Sequence, residues 1–298
     1  MRLSRATACL IVGLTGLSAT GAVAAEPVRL ASHRAIYDLS LAQSGGTRAV
    51  ESARGRIVIE FSGDACKGYS MQTRQVTVLE SGETGSRTSD LRNTTFEGAD
   101  GRSYRFKVGT LLNGAPGQSV DGTAEVTAEA LKVRLKEPKR EVFEAKGEVL
   151  FPTAHMRRLI EAARGGTTTL SVKVYDGTDD GRKVYDTLAV IGHAAPAKAD
   201  ASKADASKAD PSKADVSQAE GDRDKPLREG DMAGMTHWPV TLSYFTAGSG
   251  ERTPIYVLTF DLYENGVSGN LRLDYGEFAV AGNLTRLDKL PAATDCKS

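Results

Sequence analysis

Metal-site spacings, long apolar runs and net charge are all scarce in this chain, and each shortage narrows the reading. The 298 residues hold only four histidines, His33, His155, His193 and His237, too scattered for an HExxH or any close ligand pair. Cysteine occurs three times, at 9, 66 and 296, with no CxxC or Cys/His spacing. That excludes a zinc ribbon and a disulfide-dense scaffold. Formal charge balances at 38 basic against 38 acidic residues, so there is no basic footprint for nucleic acid. No GxSxG, Walker A or strand–GxGxxG–helix motif is present, so the common nucleophile and phosphate cradles have no starting point. Together these absences lead us to expect no catalytic residue, no cofactor, no metal and no enzyme activity.

The N-terminus differs from the rest. Arg2 and Arg5 precede an apolar stretch from Ala6 to Leu17, and Ala22–Ala25 offers small residues ahead of Glu26-Pro27. Residues 1–25 read as a Sec-type signal peptide cleaved near Ala24 or Ala25. The apolar stretch is shorter than the roughly 20 residues of a spanning helix, and no later run is apolar enough to cross a membrane. The expected location is the periplasm. Cleavage removes Cys9 and leaves Cys66 and Cys296. Two cysteines in an exported chain suggest one disulfide, closing nearly the whole mature domain.

What the chain has in quantity is alternation. Ile57, Ile59 and Phe61 sit at every second position, as do Tyr104, Phe106 and Val108. The same holds for Leu131–Leu135, Leu170–Val174, Val240–Tyr244 and Leu271–Tyr275. Period two with polar residues between is the mark of antiparallel strands with one wet face. Asp100-Gly101, Asp121-Gly122 and Asn265-Gly266 are expected turns. Ile255 to Leu262 is more uniformly apolar and is expected to be a central strand. One segment has helical spacing instead: 152–164 places Met156, Leu159, Ile160 and Ala163 on one face, with Pro152 at its start and Gly165-Gly166 as a stop. Residues 194–229 contain a repeated Lys-Ala-Asp unit with almost no apolar side chains and are expected to be a disordered, low-complexity insertion. Residues 26–298 otherwise form a single domain. Its expected fold is mainly β: a large curved antiparallel sheet around one amphipathic helix.

The stretch KVYDGTDDGRKVYD, Lys173 to Asp186, raises a sharper question. Asp176, Thr178 and Asp180 occupy positions 1, 3 and 5 of a calcium loop, with Gly181 at position 6. The bidentate glutamate is missing: position 12 is Thr187, and Asp186 falls one early. The alternating flanks favour a hairpin. In it Asp caps its own backbone, Gly177 and Gly181 take positive φ, and the two Lys-Val-Tyr-Asp segments meet across the turn.

Several short stretches taken in order resemble one known family. They are His33-Arg-Ala-Ile-Tyr-Asp-Leu39, Leu150-Phe-Pro-Thr-Ala-His-Met156, Val174-Tyr-Asp-Gly-Thr-Asp-Asp-Gly181 with Lys183-Val-Tyr-Asp-Thr-Leu188, Leu271–Tyr275 and Leu284-Thr-Arg-Leu287. The chain resembles the EipB family of periplasmic cell-envelope integrity proteins of alphaproteobacteria over about His33 to Cys296. The resemblance implies an antiparallel β-spiral shaped like an open cup around a helix. It also implies a disulfide that Cys66 and Cys296 match, and a non-enzymatic role in envelope integrity. The expected partner is another periplasmic or envelope protein. The alternative, from a likeness in shape to carriers of the Lol type, is a lipid or acyl chain on the concave apolar face. The Lys-Ala-Asp repeat departs from the family pattern.

Overall fold

The structure is a computed structural model that describes residues 26–45, 50–83, 85–196, 223–246, 248 and 252–291. The sequence-predicted signal peptide, most of the Lys-Ala-Asp segment and Cys296 lie outside these residues.

Strands dominate, as the alternation predicts. In chain order they are β1 (His33–Ser44), β2 (Ser52–Asp64), β3 (Gly68–Ser81), β4 (Gly85–Glu97), β5 (Ser103–Leu112), β6 (Ala115–Val126), β7 (Ala130–Glu137) and β8 (Glu141–Lys146). The helix α1 (Pro152–Arg164) follows. Then come β9 (Thr169–Val174), β10 (Tyr185–Ile191), the two-residue β11 (Ala195–Pro196), β12 (Thr236–Thr246), β13 (Tyr256–Tyr263), β14 (Ser268–Asp274) and β15 (Phe278–Lys289). All belong to one 15-stranded sheet in the order β8-β7-β6-β5-β4-β3-β2-β1-β15-β14-β13-β12-β10-β9, with β11 beside β12. The ladders between these strands are antiparallel. Short turns join β2 to β3, each chain neighbour from β4 to β8 and from β13 to β15, whereas a longer loop, 175–184, joins β9 to β10. The chain therefore builds its sheet outward from the β1–β15 pair in two runs of meanders.

The two ends of this sheet curl toward each other. Leu150, just after β8, makes a parallel bridge to Val174 of β9. Its N–H donates to Lys173 O at 2.8 Å, and its carbonyl accepts from Tyr175 N at 3.0 Å. The sheet is bent around α1: Leu159, Ile160 and Ala163 share one apolar cluster with Tyr69 of β3 and with Ala189, Val240 and Leu262 of β10, β12 and β13. Strands so far apart in the sheet order meet in one cluster only if the sheet wraps the helix. Burying a leucine or isoleucine of this kind contributes about 1.5–3 kcal/mol each.

The helix has the expected bounds. Gly165 N–H bonds back to Glu161 O, and Gly166 takes φ +74°. Its start is not self-capped, because Phe151 at the N-cap offers no side-chain bond.

Two expectations need correction. Asp121-Gly122 is not a turn but lies within β6, at a register irregularity against β7. A Cβ at Gly122 would stand 2.6 Å from Cζ of Phe106 on β5, so the glycine serves close packing across strands. The real β5–β6 turn is Asn113-Gly114, both at positive φ. The second correction concerns the far end of the expected insertion, placed at Glu229. Residues 223–229 are built into the fold. Leu227 is buried in a 3-10 turn (Lys225–Arg228), and the Asp224 carboxylate accepts Asn270 N at 2.6 Å and Leu284 N at 2.5 Å. At the other end, Ala195 and Pro196 pair with His237 and Thr236.

Candidate ligand-binding cup

The register identifies which side chains face α1. On β3 and β4, Tyr69, Met71, Thr73 and Gln75 stand opposite Glu97, Thr95, Asn93 and Leu91. Tyr69 packs with α1 and Glu97 caps it, so this whole row is the inner face. On β12 and β13 the inner row pairs Val240 with Phe260, Leu242 with Leu258 and Tyr244 with Tyr256. Leu273 of β14 extends it beside Leu258.

Burial along these rows is uneven. Near α1, Tyr69, Thr95, Glu97, Val240, Leu242, Phe260 and Leu262 are buried. Further along the same strands, Met71, Thr73, Gln75, Leu91, Asn93, Tyr244, Tyr256, Leu258 and Leu273 keep part of their surface accessible. Residues on the inner face of a wrapped sheet stay accessible only where nothing fills the interior. The helix therefore plugs one end, and the other end is an open cup with a mostly apolar wall. The Oδ1 of Asn93 on this wall has no hydrogen-bond partner among the described residues.

At the closed end a long-range contact caps the helix start. Glu97, 1% exposed, accepts Thr153 N at 2.7 Å and Ala154 N at 2.8 Å. Its carboxylate replaces the missing N-cap and sits at the positive end of the helix dipole. Burial raises its pKa, and the two backbone bonds oppose that rise. His155 on the next turn is buried, its Nε2 is without a partner among the described residues, and burial lowers its pKa to about 4.

The aspartate loop forms part of this interior. It does join a hairpin, with Val174 opposite Tyr185 and Lys173 opposite Asp186. Gly177 and Gly181 take φ +73° and +76°, as a hairpin reading expects. Its direction is the surprise: the loop folds inward across β5–β7 and does not stand out in solvent. A Cβ at Gly177 would meet the Phe106 ring at 2.4 Å, and one at Gly181 would meet Val120 at 2.6 Å. Tyr175 is fully buried and donates to Gly181 O at 2.7 Å, while Tyr104 donates to Asp176 O at 3.1 Å.

The carboxylates of the calcium-loop reading go separate ways. Asp176 Oδ1 accepts from Thr178 N and Oγ1 at 2.9 and 2.7 Å. Asp179 Oδ2 takes the Tyr185 hydroxyl and Lys183 Nζ at 2.7 and 2.8 Å. Asp180 accepts Arg182 N at 3.0 Å. No group of metal-ligating side chains converges among the described residues.

Asp176 looks toward tyrosines. Tyr185 meets Tyr244 edge-on with ring centroids 5.9 Å apart, Tyr244 stacks on Tyr256 at 4.4 Å, and Tyr256 approaches Tyr275 at 6.5 Å. Burial, and then the charge of Asp176, push the Tyr244 phenol above its ordinary range. Burial raises the Asp176 carboxyl despite the Thr178 bonds. The pattern of alternating strands predicted a concave face, but nothing local in the sequence predicted this tyrosine–aspartate arrangement, which joins three loop-separated strands.

Cys66 lies in the β2–β3 turn, where Asp64 Oδ1 accepts both Cys66 N and Lys67 N at 2.7 Å. Its expected partner, Cys296, is outside the described residues. No helix among those residues is long and apolar enough to cross a membrane.

Comparison with known proteins agrees with the geometry. The cell envelope integrity protein EipB of Brucella abortus (strain 2308) is 33% identical over 286 residues, 96% of this chain and 92% of that protein. A crystal structure described as a beta-barrel-like protein of domain of unknown function DUF1849, also from Brucella abortus, superposes with a TM-score of 0.76. It is 33% identical, and the match covers 89% of this chain and all of that one. Residues 24–291 match the EipB-like family, and the chain belongs to it.

Proposed function

We propose that this chain is an exported, periplasmic protein that supports cell-envelope integrity without catalysing a reaction, and that the open cup is its working surface. The observation that carries the reading is the half-exposed inner wall. Met71, Leu91, Leu258 and Leu273 leave apolar surface facing an opening, as a site for a lipid or acyl chain requires. The name of the Brucella relative supports the envelope role. Two of the buried carboxylates, Glu97 and Asp224, are occupied by backbone N–H groups, which suits a structural task. Residues 1–25 direct export, and a Cys66–Cys296 disulfide ties the C-terminus to the β2–β3 turn.

A second reading, docking of another envelope protein, has its own support. Leu188 and Val190 on the outer face of β10 are 37% and 50% exposed, and Val142 on the end strand β8 is 58% exposed. Exposed apolar residues beside open sheet edges are a common docking surface.

Deleting the gene and challenging cells with detergent tests the envelope role: sensitivity restored by the exported chain supports it, and unchanged resistance contradicts it. Mass spectrometry of organic extracts from natively purified protein separates the two readings. A stoichiometric amphiphile supports the cup as carrier; protein cross-links at Val190 with an empty cup support docking.

A further inference from the structure

The sheet ends on β9, and most of that strand's outer edge is unused. Even-numbered residues here turn their backbone groups toward β10: Thr168 O, just ahead of the strand, accepts Ile191 N at 2.8 Å. Odd-numbered residues turn theirs away, and Lys173 O and Tyr175 N are both taken by Leu150. By the same parity the N–H and C=O of Thr169 and Ser171, and the N–H of Lys173, point off the end of the sheet. These groups have no hydrogen-bond partner among the described residues. Thr169, Ser171 and Lys173 are exposed, so the Leu150 bridge covers only the C-terminal end of the strand.

A cavity of about 540 Å³ opens beside this edge on the outer face, lined by Glu148, Leu150, Ser171, Lys173, Leu188 and Phe245 among others. Its charge is unbalanced. Asp186 stands opposite Lys173 in the β9–β10 register but pairs with Arg252 at 2.5 Å. Glu148 is paired with Arg158 at 3.7 Å. Lys173 has no ion pair among the described residues. Its Nζ lies 3.8 Å from where a Cβ on Gly147 would stand, beside the end of β8. Lys146, the last residue of β8, is exposed and also has no ion pair among the described residues. Two ammonium groups without counter-ions thus flank the gap between the two end strands, and Leu188 and Phe245 supply apolar surface next to them.

We propose that β9 accepts an extended, acidic segment of a partner protein as an added strand. The segment's backbone completes the bonds of Thr169, Ser171 and Lys173. Side chains alternate along a strand, so every second residue of the segment falls on the outer face beside Lys173 and the cavity. An aspartate or glutamate there answers the ammonium groups. The residues between fall on the inner face and continue the partly buried apolar row of Leu170 and Val172. The partner motif is therefore alternating apolar and acidic. This inference rests on the docking reading above and names its edge and its partner chemistry.

Fluorescence anisotropy of the labelled peptide Thr-Val-Glu-Val-Glu-Val-Thr, titrated with the full exported chain, tests it. The same peptide with Lys for both Glu should bind about tenfold weaker or worse, because like charges then meet. Ser171→Pro removes an N–H that faces off the sheet and no bond to β10, a change that edge strands tolerate. It should weaken binding of the acidic peptide about fivefold or more. Lys173→Gln should narrow the gap between the acidic and basic peptides while leaving the edge intact. Equal binding of the two peptides by the wild-type chain, or acidic-peptide binding unchanged in Ser171→Pro, overturns the proposal. No peptide binding, alongside partner cross-links at Val190, also overturns it and leaves the docking reading standing. A concentration-dependent dimer in analytical ultracentrifugation that disappears in Ser171→Pro assigns the edge to a second copy, and so overturns it too. Absence of both peptide binding and cross-links overturns the proposal and the docking reading together.

Discussion

Replacing Glu97 by alanine isolates the contact that seats the helix in the sheet. Two N–H groups of α1 lose the acceptor they have among the described residues, at a place where Glu97 is 1% exposed. A hydrogen bond to a charged group contributes about 1.5–3 kcal/mol, and loss of an ordinary N-cap costs about 0.5–2 kcal/mol. Removing the carboxylate also relieves its desolvation, the leading cause of its raised pKa. The net loss expected for Glu97→Ala is therefore about 2–4 kcal/mol, below the sum of the two bonds. For a domain of this size that lowers Tm by about 5–15 °C. Glu97→Gln keeps one acceptor and should lose about half as much. Differential scanning calorimetry at pH 7 measures both. The pH dependence has a definite sign. Because the folded pKa is raised, the stability that Glu97 contributes is fully present below the ordinary value of 4.5. It declines as pH rises through the folded value. The wild-type advantage over Glu97→Gln should therefore be largest in acid and shrink toward neutrality. An unchanged Tm in Glu97→Ala, or an advantage that grows with pH, refutes the reasoning.

Gly177→Ala should lower stability by about 3 kcal/mol or more, since overpacking and a positive φ act together there. The added Cβ falls 2.4 Å from the Phe106 ring, and chemical denaturation measures the loss. Burial holds His155 neutral with a pKa of about 4 against 6.5 in the unfolded chain. Its contribution is present above pH 6.5 and is lost as pH falls toward 4, by about 3 kcal/mol at 1.36 kcal/mol per pH unit. His155→Leu should therefore flatten the acid side of the Tm–pH curve; an unaltered curve contradicts the burial account.

How much of this was legible depends on the range of the interaction. Strand identity is local, and Tyr104–Val108 or Val240–Tyr244 announce their inner face by period two alone. The helix was equally plain, because proline, apolar spacing and the Gly165-Gly166 stop all agree. The Asp121-Gly122 reading failed because a glycine that makes room for Phe106 on the next strand looks, in sequence, like a glycine that turns the chain. The direction of the aspartate loop was hidden for the same reason: Gly177 and Gly181 do take positive φ, but what matters is the Phe106 and Val120 side chains against them. Glu97 could not be found at all, since its partners lie 56 and 57 residues away and no capping motif links them. Asp224 escaped because its neighbours upstream are so poor in apolar residues that the low-complexity reading ran past it to Glu229.

The central claim is that the inner wall of the cup does the protein's work, and filling the cup tests it most directly. Thr73 and Leu273 are partly exposed inner-wall residues on β3 and β14, outside the apolar cluster around α1, so Thr73→Trp with Leu273→Trp narrows the opening and spares the buried end. The double variant should melt within about 5 °C of the wild type, a shift of about 1–2 kcal/mol in a domain of this size. Expressed in cells that lack the gene, it should fail to restore detergent resistance where the wild-type chain succeeds. Full restoration by the filled, folded variant contradicts the account and moves the working surface to the outside of the sheet.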